Sequence, residues 1–281
     1  MTPIHAPGDS GPMRVVFFAS GGPGNLATAF ACEDFEPSKI HVDLVVTDRP
    51  GIPAVALAEA RGCQCIVNDY ERSLRDQAGA GDRPLTAAER AAFSRTFHDD
   101  VLEQIEAVER KRGKFDLVVL AYRRIILGDM LERFRDRIVN QHPADLAERS
   151  SVAPKARRYT GISGLARSVR EGARTTRTST ILVNEGVDSG EILCRGPQVA
   201  VEPTDFVLAE HELKQKIASD APSLAFALHH IAHGRFGIDP SGRHDDGCRI
   251  VTFDGRPLPY GGVDLACNEL EGPQLAVTAS R

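Results

Sequence analysis

The chain has 281 residues, of which 42% are hydrophobic and 26% charged, and its formal net charge is -5. This composition is ordinary for a folded, soluble domain, and the length suits one large domain or a domain with a smaller appendage. It excludes a general electrostatic grip on nucleic acid and offers no apolar run of the roughly 18 residues that a bilayer span requires. Residues 1–12 carry no apolar stretch of a secretory signal and read as a flexible lead-in, so a cytoplasmic location is expected. The six cysteines (Cys32, Cys63, Cys65, Cys194, Cys248 and Cys267) are scattered, which fits buried reduced thiols better than a disulfide framework.

In chain order, Met13 to Ser20 is a short apolar strand ending in Gly21-Gly22-Pro23-Gly24-Asn25, and Leu26 to Cys32 follows as a helix. His41 to Thr47 is a second strand, Pro53 to Arg61 a helix and Gln64 to Val67 a third strand. Strands alternating with helices predict a parallel sheet covered on both faces. Glu71 to Pro84 is polar and reads as a loop. Leu85 to Arg112 reads as a long helix, with Thr86 and Glu89 spaced for a capping box.

Phe115 to Ala121 is the most continuous apolar strand and predicts a central position in the sheet. A short helix is expected over Ile126 to Phe134. The strand Arg137 to Asn140 runs directly into Gln141-His142-Pro143. Residues 144–160 read as a polar, irregular loop containing Lys155, Arg157 and Arg158, and Ile162 to Glu171 as a helix. Thr178 to Asn184 and Glu191 to Val201 predict a hairpin. Asp205 to Ser219 and Pro222 to His233 read as helix, broken or kinked at Pro222. Residues 237–281 read as an irregular tail.

Three polar clusters fall at strand ends, where open α/β sheets bind ligands. Ser20, Gly21, Gly22, Gly24 and Asn25 precede a helix, a setting that favours an anion, although a plain tight turn fits the same residues. Asn140 could donate to an oxyanion through its amide, and His142 could exchange a proton. Taken alone, His142 is better explained as a structural histidine in a turn set by Pro143. Asp188, before Ser189-Gly190, is on its own a turn former. His229, His230 and His233 fall at the end of a helix, where cations are mildly favoured, and no metal is expected there.

Taken together and in order, SGGPGNL, FDLVVLAYRRIIL, IVNQHP and TSTILVNEGVDSGEIL resemble the folate-dependent formyltransferase family, most nearly its glycinamide ribonucleotide transformylase branch. The similarity runs from about Met13 to Phe236, and the segment Asp254 to Tyr260 also looks like the end of that branch. The resemblance implies a Rossmann-like α/β formyltransferase fold with a mostly parallel twisted sheet, helices on both faces and a C-terminal hairpin. The catalytic domain would cover 13–236, with a helical insertion at about 80–112 and a loop insertion at about 144–160.

It further implies catalytic Asn140, His142 and Asp188, with 10-formyltetrahydrofolate as formyl donor and no metal. The donor would lie against Arg124, Ile125, Ile126 and Leu127 and against Val183, Asn184, Glu185 and Gly186. The substrate phosphate would sit on Ser20, Gly21, Gly22, Gly24 and Asn25. The partner implied is a small-molecule amine acceptor, without nucleic acid or membrane, and a homodimer is admissible.

The chain departs from the branch where a second histidine is replaced by Ile181, where Arg124-Ile-Ile-Leu127 replaces Met-Arg-Ile-Leu, and in the longer basic loop after Pro143. Pro23 also removes one N–H from the glycine turn. These departures point to an acceptor other than glycinamide ribonucleotide. A hydrolase of the same donor, or a non-catalytic folate- or nucleotide-binding relic, are the competing readings.

Overall fold

The longest apolar runs become the interior of one sheet, because a strand buried on both faces has no polar side to turn outward. The computed structural model describes residues 1–8, 11–78, 85–202 and 206–265. The strands are β1 (Thr2–Pro3), β2 (Met13–Ala19), β3 (Ile40–Thr47), β4 (Gln64–Val67), β5 (Leu117–Ala121), β6 (Ile138–His142), β7 (Thr175–Thr176), β8 (Ser179–Leu182), β9 (Ile192–Arg195), β10 (Val199–Ala200), β11 (Phe236–Arg243), β12 (Arg249–Phe253), β13 (Arg256–Pro257) and β14 (Val263–Asp264). The helices are α1 (Gly24–Phe35), α2 (Pro53–Ala60), α3 (Tyr70–Ala78), α4 (Ala87–Arg112), α5 (Asp129–Arg133), α6 (Gly164–Arg170), α7 (Leu208–Gln215) and α8 (Ala221–Ala232).

The main sheet has eight strands in the order β14-β9-β8-β6-β5-β2-β3-β4. Its pairings are parallel except for those of β8 with β6 and β9, so β8 alone runs against the rest. This is the mostly parallel sheet with an antiparallel hairpin that the sequence predicts, and the expected central strand, β5, lies between β2 and β6. The chain passes from β2 outward through β3 and β4 and then returns to β5 on the other side of β2. That reversal opens a crevice at the carboxyl ends of β2 and β5.

Each face of the sheet carries its own core. Val15, Phe17 and Ala19 of β2 pack with Leu26, Ala29 and Phe30 of α1 and with Leu224, Leu228 and Ile231 of α8. Val16 and Phe18 turn the other way, toward Phe93, Phe97, Val101 and Ile105 of α4 and Met130 of α5. Each such fully buried side chain contributes about 1.5–3 kcal/mol relative to exposure. The capping box of α4 forms: Thr86 Oγ1 accepts from the Glu89 N–H at 3.2 Å, and Glu89 Oε2 accepts from the Thr86 N–H at 2.7 Å.

Several expectations are corrected. The lead-in is not wholly irregular: Thr2 and Pro3 pair antiparallel with Ile238 and Gly237, and Ile4 is buried. The expected loop after Glu71 begins as helix α3, whose Tyr70 stacks edge-on against Phe93 and Phe97 at 4.9 Å. The expected helix over Ile126 to Phe134 shortens to α5. The tail after Gly237 forms the hairpin β11–β12, which seats Phe236, Ile238 and Val251 in the core. Residues 79–84, Asp205 and the tail beyond 265, with Cys267, lie outside the described residues.

The chain stays helical through Pro222: α7 passes through a π-helical turn, Lys216–Asp220, whose Ala221 N–H bonds back to the Lys216 carbonyl, into α8, and Pro222 follows directly on that widened turn. The π turn aims polar groups at the sheet. Thr178 donates to Asp220 Oδ1, and the Gln141 amide donates to the Asp220 carbonyl at 2.8 Å.

Asp220 is 6% exposed, and burial pushes its carboxyl up to about 6, against the opposing effects of Thr178 and Lys216. The folded state therefore holds a proton that the unfolded chain, with a carboxyl near 3.9, has already lost. This contribution to stability is present below pH 4 and is lost as pH rises through about 6. Asp220→Asn removes the buried charge. It should be more stable than the parent at pH 8 by on the order of 2 kcal/mol, with the difference shrinking as pH falls toward 4. Denaturant melts at a series of pH values measure this directly; a pH-independent difference would contradict it.

Candidate functional site

The carboxyl end of β6 carries the two groups of main interest. Side chains alternate along a strand, so Ile138, Asn140 and His142 share the face that Ile138 commits to the α4 side. Asn140 stands between Leu120 of β5 and Ile181 of β8 in register. It is half-buried, and its side-chain amide makes no hydrogen bond among the described residues.

His142 is 4% exposed, and both ring nitrogens are engaged. Nδ1 stands 3.2 Å from Asp188 Oδ2, and Nε2 stands 2.6 Å from the carbonyl oxygen of Tyr159. Both contacts can be hydrogen bonds only when both nitrogens carry a proton.

Asp188 reaches His142 by an indirect route. The loop between β8 and β9 starts with the Val183 N–H bonded to the Ile138 carbonyl, at the amino end of β6, and Glu185 pairs with Arg135 there. By Asp188 the loop has arrived at the carboxyl end, so it runs the length of β6. Asn184 folds it: Oδ1 accepts from the Gly186 N–H at 3.0 Å and from Ser189 Oγ at 2.6 Å. Asp188 itself takes the left-handed backbone conformation, with φ of 49°. Burial alone would raise its carboxyl, but contact with His142, the Gly161 N–H at 2.6 Å and the Arg157 charge together hold it below the usual carboxylate range.

The loop after Pro143 closes the site. Besides supplying Tyr159 and Gly161, it places Arg157 against the Asp188 carbonyl at 2.6 Å, the Gly190 carbonyl at 2.7 Å and the Tyr260 hydroxyl at 2.8 Å. Arg158 pairs with Glu171, and Lys155 is exposed. The basic loop is therefore a brace more than a charged patch. Ile181 helps to seat it, packing with Leu146 and Ile192. Gly164 has no room for a side chain, because a Cβ would meet the Tyr159 oxygen at 2.3 Å and His142 Nε2 at 2.8 Å. Tyr159, Gly161 and Gly164 had no signal in the sequence, since their contacts rest on backbone atoms or on a missing side chain, and Arg157 was legible only as part of a basic loop.

The glycine turn lies in the crevice between β2 and β5. The Ser20 N–H donates to the Ala121 carbonyl, and Ser20 Oγ accepts from the Arg123 N–H, so this hydroxyl is used by the fold. Gly21, Gly22 and Gly24 have negative φ and open space where a Cβ would stand. Their own chain does not require glycine. No side chain caps α1, and the earliest helical hydrogen bond runs from the Ala27 N–H to Pro23. The N–H groups of Gly24, Asn25 and Leu26 therefore face outward in a setting suited to an anion.

The segment 124–127 is mostly committed to structure. Arg124 pairs with buried Asp48 at 2.7 Å and with Glu71 at 2.8 Å, and stacks on Tyr70 at 4.2 Å. Ile126 is in the core and Leu127 is half-buried; Ile125 is 57% exposed. Nearby, buried polar atoms of Asp48, Asn68, His98 and Tyr122 lack hydrogen-bond partners among the described residues. Burial lowers His98 to about 4.

No helix of the described residues is long and apolar enough to cross a membrane. Arg124→Met leaves the buried Asp48 carboxylate with only the longer contact to Arg49 Nε at 3.6 Å and should cost on the order of 3 kcal/mol of stability. Chemical denaturation beside a donor-binding titration checks it. A variant of unchanged stability but weakened donor binding would assign Arg124 to the ligand instead.

The chain is similar to known proteins in sequence and in fold. The chain is 29% identical over 213 residues to the phosphoribosylglycinamide formyltransferase of Mycobacterium tuberculosis, covering 75% of this chain and 82% of that protein. It is 27% identical over 232 residues to the trifunctional purine biosynthetic protein adenosine-3 of Drosophila melanogaster, covering 81% of this chain but 14% of that protein. The chain spans less than two thirds of the length of the first curated relatives it matches. Among solved structures, the phosphoribosylglycinamide formyltransferase from Coxiella burnetii superposes with a TM-score of 0.63 at 19% identity, over 90% of this chain and 99% of that one. A formyltetrahydrofolate deformylase from Pseudomonas putida does so with a TM-score of 0.59 at 15% identity, over 90% and 72%. At these identities the two structures speak for the fold. The formyl transferase family profile matches residues 13–225, most of the described sheet and the whole of the Asn140–His142–Asp188 cluster, and the chain belongs to the formyl transferase family.

Proposed function

We propose that the protein transfers the formyl group of 10-formyltetrahydrofolate to the primary amine of a small acceptor able to carry a phosphate. The observation that carries this reading is the amide of Asn140, without a hydrogen bond among the described residues, next along its face to buried His142 and its half-buried partner Asp188 at the carboxyl end of β6. The amine nitrogen attacks the formyl carbon, and the carbonyl electron pair moves onto oxygen. Asn140 donates to that oxyanion, and an imidazolium at His142 stabilises it by charge. Asp188 anchors the ring and, through a water, takes the proton lost by the amine. Breaking the bond to the folate nitrogen, with that proton returned to it, gives formamide and tetrahydrofolate.

With Nε2 against the Tyr159 carbonyl, His142 acts through its charge; direct donation to substrate requires the 159–161 segment to withdraw. Val183 to Gly186 and the exposed Ile125 border the donor side in this reading. The turn from Gly21 to Asn25 takes the acceptor phosphate. The Ile181-seated loop occupies the acceptor side, which supports an amine other than glycinamide ribonucleotide.

The decisive experiment incubates the full chain and donor with and without amines, glycinamide ribonucleotide among them, and follows tetrahydrofolate and formate. Acceptor-dependent tetrahydrofolate is expected. Asn140→Ala should lower kcat by about 10²–10³, and Asp188→Asn should lower it comparably without unfolding the chain. Equal formate release without an amine would make the protein a hydrolase, and efficient turnover of glycinamide ribonucleotide would sink the altered acceptor.

A further inference from the structure

A second cluster of chemically capable side chains lies away from this site, where the ends of α1 and α8 meet. His229 and His233 are four apart on α8 and its C-cap, a spacing that puts both rings on one face. The sequence places nothing beside them. The fold brings in Glu36, the C-cap of α1, whose N–H is fixed to the Cys32 carbonyl. Glu36 Oε1 stands 2.9 Å from His229 Nδ1, and Oε2 stands 3.4 Å from His233 Nε2. One ligand atom from each of the three residues can be chosen so that all lie within 4.8 Å of one another. His230, the third histidine of the run, turns inward instead, edge-on to Phe226 and Phe253.

Three features distinguish this cluster from an ordinary histidine–glutamate pair. First, the short contacts are not good hydrogen bonds: His229 Nδ1 and Glu36 Oε2 are buried atoms with no hydrogen-bond partner among the described residues. Second, His233 Nδ1 is 2.8 Å from the His229 carbonyl. That contact puts the ring proton on Nδ1 and leaves Nε2 as a lone pair facing the cluster, the orientation that metal-bound imidazoles take from their outer partner. Third, ligand atoms about 2.0–2.1 Å from a tetrahedral cation stand roughly 3.4 Å apart, the separation of Glu36 Oε2 from His233 Nε2.

We propose that Glu36, His229 and His233 form a binding site for a divalent first-row transition metal of the Zn²⁺ class. Two imidazoles and one carboxylate match that class, whereas Mg²⁺ and Ca²⁺ favour all-oxygen sets. Solvent would supply the remaining position, since His233 is 31% exposed at its side chain. The location is favourable for a cation, because α1 and α8 both end there and present their negative poles. The site is structural. α1 carries the glycine turn at its other end, about 18 Å away by helix rise. A bound ion would tie the far end of that helix to α8, and the proposal is independent of the formyl-transfer reading.

The test uses the full chain, stripped with chelator and titrated with Zn²⁺ by calorimetry, with thermal melts alongside. One ion per chain and a raised Tm are expected. The double variant His229→Ala/His233→Ala and the near-isosteric Glu36→Gln should each lose at least tenfold in affinity. His41→Ala, which removes a histidine paired with Glu33 elsewhere on the surface, should bind as the parent does. Co²⁺ substitution gives a second readout, since intense visible absorption reports a four-coordinate site with nitrogen ligands. Circular dichroism of each metal-free variant verifies folding; if the double variant does not fold, Glu36→Gln and the Co²⁺ spectrum decide. Stoichiometric uptake absent from the parent, or affinity unchanged in Glu36→Gln and the double variant, or lost equally in His41→Ala, would overturn the proposal.

Discussion

The carboxylate of Asp188 is the contact through which three otherwise separate parts of the chain hold one another. It meets His142 at the end of β6, accepts from the Gly161 N–H in the loop after Pro143, and belongs to the loop joining β8 and β9. A half-buried carboxylate is costly to desolvate unless partners offset the loss of water. Here the partners of Oδ2 come from different elements, so the charge ties those elements together. The left-handed backbone at Asp188 adds to this demand, because a non-glycine residue adopts it only where its surroundings compensate.

Arg157 extends the same constraint outward. It holds the carbonyls of Asp188 and Gly190 and the hydroxyl of Tyr260, so the hairpin loop, the inserted loop and the C-terminal segment share one guanidinium. Its planar fork of donors suits several oxygens at once, which a lysine could not satisfy. The polar loop after Pro143 thus becomes part of the structure and shuts His142 away from solvent. The fold leaves Asn140 as the amide on that face that remains uncommitted.

The two helices that flank one face serve opposite ends of the molecule. α1 begins at the open glycine turn and ends at Glu36; α8 follows directly from a π turn that buries Asp220 against the sheet and ends at His233. Their packing closes the core around Phe17, Leu26 and Leu228. The polar groups are left at the helix ends, where unpaired backbone groups and dipoles favour ligands.

The alternation of strands and helices, the two-faced burial of β5 and the capping of α4 were legible in the sequence, because each depends on residues close together in the chain. So was the pairing of Asn140 and His142, two apart on one strand. α3 was not legible, because its sequence is polar and only Tyr70 and Leu74, one turn apart, face the core. The hairpin β11–β12 was hidden in a Gly-, Pro- and charge-rich segment whose apolar positions matter only against α8 and the N-terminal strand. The tertiary structure alone decided that Arg124 serves Asp48, that a backbone carbonyl from residue 159 faces His142, and that Glu36 joins His229 and His233. Each of these rests on contacts between residues far apart in the chain, and many use backbone atoms, which every residue possesses and no sequence pattern marks.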